Sequence, residues 1–96
     1  MNVSIEQNDN NVALIGELNR HTVPSLTVKD ILPFYQQSSC QLDLAKVTEV
    51  DTAGLAWLLL VIEKAHAKNC QINFTNLPQD MVKLAQLSAV DTLFTA

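Results

Sequence analysis

The chain has 96 residues, of which 48% are hydrophobic and 17% charged, with a formal net charge of −4. That length suffices for one core hiding about 60–70% of the unfolded surface, and the composition is that of a globular chain rather than a disordered one. The acidic balance argues against bulk electrostatic binding to nucleic acid or an anionic membrane, and no run reaches the roughly 18–20 apolar residues that span a bilayer.

The opening MNVSIEQNDNN has neither a basic region nor an apolar run. No secretory signal is therefore expected, and the expected compartment is the cytoplasm. Val3 to Gln7 alternates in polarity and predicts a first strand. Asn8, Asp9, Asn10 and Asn11 tolerate positive φ and predict a turn. Val12 to Leu18 is apolar on both sides, Val12 and Leu14 against Ala13 and Ile15, and predicts a more central strand closing an antiparallel hairpin. Asn19, Arg20 and His21 read as a loop, with Thr22 the next candidate helix cap. Pro24 suits a first helical turn, so a helix is expected from about Val23 to Leu32, ended or kinked by Pro33. Phe34 and Tyr35 suggest one further turn before the polar QQSS loop.

Cys40 and Cys70 fall at the expected starts of two strands, where reduced, buried thiols are the expectation. Leu42, Leu44 and Val47 mark the third strand. Asp51 and Thr52 follow as good N-caps, and Ala53 and Gly54 keep the first turn bare for a partner. The helix beyond them is apolar on nearly every side. On a helical wheel of residues 53 to 68, Leu55, Leu58, Leu59, Ile62 and Ala65 fall on one arc, assigned to the core. Trp57, Leu60, Val61, Lys64 and Lys68 fall on the opposite arc beside Ala53. A helix lying on a sheet leaves that second arc to water, so its apolar residues are expected to form a docking patch. The alternative is that another element of the same chain covers them.

Lys68 and Asn69 suit a helix end. Gln71 to Thr75 predicts a fourth strand. Asn76 to Gln79 reads as a helix entrance, and Met81, Leu84 and Ala85 mark a short amphipathic helix. Val90, Leu93 and Phe94 add apolar surface near the end. The expected architecture is a single α/β domain over residues 1–96: a small mixed sheet of four strands, an antiparallel hairpin plus parallel crossovers, with about three helices. The loops after parallel strands share one edge, so Arg20–Thr22 and Asp51–Ala53 are expected to be neighbours.

Thr52 reads either as a plain N-cap or as a residue that bonds a partner or accepts phosphate. A phosphate at a helix start is tolerated by the fold, but beside Asp51 it would weaken docking. His66 is placed near the core arc, at a helix end, and His21 on the loop edge. Neither has companions at metal-ligand spacing, so no metal and no cofactor are expected. An enzyme would need Thr52 as nucleophile and His21 as base, with no evident oxyanion site or pocket, and no P-loop run is present.

The strand LDLAKV, a spacer and then Asp51-Thr52-Ala53-Gly54-Leu55 resembles the signature of STAS domains. That is the fold of anti-sigma-factor antagonists and sulfate-transporter tails. Within that superfamily, DTAGLAWLLLVIEKA is most similar to the MlaB family. The resemblance implies a non-catalytic accessory subunit of a phospholipid-transport ABC system that maintains outer-membrane asymmetry. Such a subunit binds the ATPase subunit, without membrane insertion of its own. The residues assigned to that contact are His21, Asp51, Thr52, Ala53, Gly54, Trp57, Leu60, Val61 and Lys64. Thr52 stands where many sigma-pathway antagonists carry a phosphorylatable serine. The alternative is therefore a phospho-switch that captures an anti-sigma kinase, with Thr52 as phosphoacceptor.

Overall fold

A computed structural model describes residues 3–8, 11–26 and 38–90. Its order is β1 (Val3–Asn8), β2 (Asn11–Leu18), a 3-10 turn (Val23–Ser25), β3 (Ser39–Val50), α1 (Thr52–Ala67), β4 (Gln71–Thr75) and α2 (Gln79–Leu87). The four strands form one sheet in the order β1-β2-β3-β4. β1 pairs antiparallel with β2, while β2–β3 and β3–β4 pair parallel. Both parallel connections step the same way along the sheet, so crossovers of one hand place their helices on the same face.

Burial follows that asymmetry. Val12, Leu14 and Leu18 of β2 and Cys40, Leu42, Leu44, Val47 and Val50 of β3 are buried on the helical face. Register sets them in rows: Ile5 beside Leu14, Val12 beside Leu42 and Phe74, Leu18 beside Val50. Beyond Leu44 the buried residues of β3 fall three apart rather than two, at Val47 and Val50, and the register shifts that allow this lie between Ala13 and Ile15 and between Gly16 and Glu17 on β2. Gly16 has φ 107° there, a conformation only glycine adopts at little cost.

Cys40 and Cys70 are both buried and free. Burial, reinforced by the neighbouring Cys70, pushes the Cys40 thiol up to about 11, and burial also raises Cys70. Asp43, by contrast, lies on the open side of the sheet. Its Oδ1 accepts from Ala45 N within β3 and from Asn76 Nδ2, both at 2.9 Å, and the second bond ties β3 to the loop after β4.

Both helices end in a left-handed residue. Asn69 (φ 57°) follows α1, where Cys70 N donates to Ala65 O at 2.9 Å. Ala89 (φ 58°) follows α2, where Val90 N donates to Ala85 O at the same distance. Asparagine and glycine suit that position and alanine does not. Ala89→Gly is expected to stabilise the fold by about 0.5–1 kcal/mol, relief of αL strain outweighing the added unfolded-chain entropy. A shift of the urea midpoint at constant slope measures it.

Three expectations need correction. Val23 to Leu26 is one 3-10 turn rather than the start of a regular helix, because Leu26 is already extended (ψ 131°). The remainder of the helix expected to Leu32, with Pro33, Phe34 and Tyr35, lies outside the described residues, as do Leu93 and Phe94. Thr22 is not a side-chain cap: its hydroxyl donates to Glu17 O at 2.7 Å and accepts from Asn19 N at 3.0 Å. His66 is exposed rather than close to the core.

Candidate functional site

The carboxyl ends of β2 and β3 bring two loops together, as the topology requires. Asp51 joins them. Its Oδ1 accepts from Gly54 N at 3.0 Å, capping α1, and its Oδ2 accepts from Arg20 N at 3.1 Å. Its own N–H donates to Leu18 O at 3.3 Å. One aspartate thus holds the end of β2, the Arg20–His21 turn and the start of α1 in fixed relation.

Desolvation raises the Asp51 carboxyl, but the N–H donors of Gly54, Arg20 and Ala53 and the Arg20 charge outweigh it, leaving it below the ordinary carboxylate range. The ionised form therefore stabilises the fold fully above the unfolded value, about pH 3.9, and that contribution is lost as pH falls through the lower folded value. Asp51→Ala is expected to cost about 1–2 kcal/mol at neutral pH. Its deficit relative to the native chain should narrow below about pH 4, read from urea unfolding across a pH series.

Asn19 is the second organiser, and its part was not evident in the sequence. It is buried, and its Oδ1 accepts from His21 N at 2.9 Å and Thr22 N at 3.1 Å. These local bonds make the turn an Asx-type structure that satisfies its own backbone. Asparagine directly after an apolar strand was the available signal. The turn presents Arg20 and His21 outward, with Arg20 Nε donating to His21 Nε2 at 3.3 Å.

The cap is therefore Asp51, not Thr52. Thr52 occupies the first helical position and is exposed. Gly54 also has a different role from the one expected. It is buried, and a Cβ built on it would lie 2.1 Å from Leu18 O. The group that approaches its bare backbone is β2 of the same chain, not a partner.

The outward arc of α1 is rotated from the expected one. Trp57 is 6% exposed and Val61 3%, so both belong to the core with Leu55, Leu58 and Ala65. Leu59 and Ile62, assigned to the core, are only half-buried. The cause is the number of neighbours: α1 touches β3, β4, α2 and the 3-10 turn. Contacts on several sides bury a wider arc than a sheet alone would. Of the expected apolar patch only Leu60 remains outside, at 37% exposure. It continues a line of small or smooth exposed positions, Thr52, Ala56 and Leu60, with Lys64 beside it. Ala53 is half-buried at the start of that line. The site that results is a narrow ridge: the Arg20–His21 turn, the exposed Thr52, and the outer stripe of α1. Among the described residues no group of three potential ligands could hold a metal ion.

Solved structures share this two-layer fold. The unphosphorylated anti-sigma factor antagonist SpoIIAA matches with a TM-score of 0.64 at 16% identity, covering 95% of this chain and 96% of that one. The phosphorylated Bacillus SpoIIAA matches with a TM-score of 0.68 at 18% identity, covering 96% and 87%. The structure described as Mglu matches at 0.53 and 14% identity, covering 79% of this chain but 20% of that one. No curated protein sequence matches the chain. A family model described as "Mlab, STAS domain" matches residues 1–95, and the chain belongs to that family.

Proposed function

We propose that this domain is a non-catalytic accessory subunit of a phospholipid-transport ABC system that maintains outer-membrane asymmetry. It docks on the ATPase subunit through the ridge of Arg20, His21, Thr52, Leu60 and Lys64. The observation that carries this reading is the Asp51 clasp, which holds two loops in one preorganised, exposed edge. A surface rigid before binding loses little entropy on docking. Membership of the Mlab-type family supports the ATPase as the partner. The domain would then work in the cytoplasm, at the inner membrane through the complex. No described helix is long and apolar enough to cross a membrane.

Capture of the tagged chain from its own cells, with mass spectrometry of what accompanies it, tests this. An ABC ATPase is the expected companion. Leu60→Asp and Thr52→Glu should each release it while leaving the circular-dichroism spectrum unchanged. Full retention by both variants, or no ATPase in the wild-type capture, would sink the reading.

A second reading is favoured by one observation: Thr52 is exposed at a helix N-terminus in a fold shared with SpoIIAA, which is known in phosphorylated and unphosphorylated forms. The domain is then an anti-sigma-factor antagonist, with Thr52 as phosphoacceptor for an anti-sigma kinase. A mass gain of one phosphate on Thr52, dependent on a co-captured kinase and ATP, would support it. Capture of an ATPase with no such kinase would decide against it.

A further inference from the structure

Three consecutive N–H groups of the loop after β2 find their acceptors on side chains of this same edge. Arg20 N donates to Asp51 Oδ2 at 3.1 Å, His21 N to Asn19 Oδ1 at 2.9 Å, and Thr22 N to that same Oδ1 at 3.1 Å. Asn19 and Thr22 are each 3% exposed, whereas Arg20 and His21 between them are exposed. The turn buries its two ends and sends its two middle side chains outward.

Asn19 carries the larger share of that arrangement. Thr22 N also reaches Asn19 O at 3.1 Å, but for His21 N the Asn19 Oδ1 is the one acceptor among the described residues. The amide nitrogen is held as well, because Nδ2 donates to Glu49 Oε1 at 3.4 Å, near the end of β3. The carboxamide is thus anchored to β3 while its oxygen orders the turn. A side chain without that oxygen leaves His21 N to water and the turn to local fluctuation.

We propose that Asn19 is a positioning residue of the docking edge: it is buried away from any partner, and its oxygen holds Arg20 and His21 in the geometry that binding uses. This rests on the docking reading above and adds to it the buried group that makes the edge competent. Without that oxygen, the backbone of two residues must be ordered at the moment of docking instead of during folding. The fold does not depend on it to the same degree. Neither the pairing of β2 with β3 nor the Asp51 cap on Gly54 passes through Asn19.

Two measurements test this: titration with the ABC ATPase captured by the wild-type chain, and 15N relaxation of the isolated domain. Asn19→Ala should weaken binding about tenfold. Order parameters at Arg20, His21 and Thr22 should fall from roughly 0.85 to about 0.6, with those of α1 unchanged. Asn19→Asp keeps the oxygen but sets a carboxylate against Glu49, and should weaken binding too. Adding Glu49→Gln exchanges amide and carboxylate between the two positions, so each bond again has a donor and an acceptor. Binding and turn order should then return to within about twofold of wild type. Val12→Ala, in the core at the opposite end of β2, lowers the urea midpoint without touching the turn and should bind normally. Wild-type affinity or unchanged order parameters in Asn19→Ala overturn this proposal and leave the docking reading in place. So does a folded but unrestored double variant, or equal weakening by Val12→Ala. Absence of an ATPase from the wild-type capture overturns both.

Discussion

Gly54→Ala is expected to destabilise the domain by about 3 kcal/mol, although alanine is the better helix former by about 1 kcal/mol. The added methyl would meet the Leu18 carbonyl oxygen at 2.1 Å, and its carbon at 2.9 Å. Those are backbone atoms of a central strand whose carbonyl also accepts from Asp51 N. They cannot swing aside as a side chain could. The start of α1 must shift away from β2, which strains the Asp51 bonds to Gly54 and Arg20 as well. Urea unfolding of the variant measures the loss, and capture of the partner should fall with it. Stability equal to or above wild type would show that the helix does not approach β2 this closely.

Trp57→Ala is the second large effect, a loss of about 3–5 kcal/mol, in the range of large aromatic truncations in a core. Trp57 is 6% exposed and packed with the core, so truncation leaves a cavity that neighbouring side chains fill only in part. The chain contains one tryptophan, so its fluorescence reports this site directly. Emission should be blue-shifted and protected from acrylamide in the folded state. Leu60→Asp, three residues on, should change stability by no more than about 0.5 kcal/mol, as exposed substitutions do. The contrast separates folding from docking: loss of a partner in a Trp57 variant reports the core, and loss in a Leu60 variant reports the surface. Acrylamide quenching of native Trp57 as strong as that of the unfolded chain would contradict the burial.

The strands were legible because each alternates in polarity or sits between turn residues. Val3, Ile5 and Gln7 alternate against Ser4 and Glu6, and Ile72 and Phe74 against Gln71, Asn73 and Thr75. The second helix from Gln79 was legible in the same way, since Met81 and Ala85 fall one turn apart and are buried. Val23 to Leu32 was misread at its start, because Pro24 serves a 3-10 turn as well as an α-helix. The N-cap was also assigned to the wrong member of a good pair. Both Asp51 and Thr52 can cap, and the choice falls to the residue whose second oxygen can also reach Arg20 N, a contact 31 residues distant in sequence.

Composition and periodicity by themselves determined four strands, a mixed α/β sheet and an edge where two loops meet, because alternation and turn chemistry act between neighbours in the chain. What only the tertiary structure decided was the rotation of α1 about its axis. Its residues are apolar all round, so no moment within the helix selects a buried face. The sheet, α2 and the 3-10 turn together select it, drawing Trp57 and Val61 inward and leaving Leu60 outside.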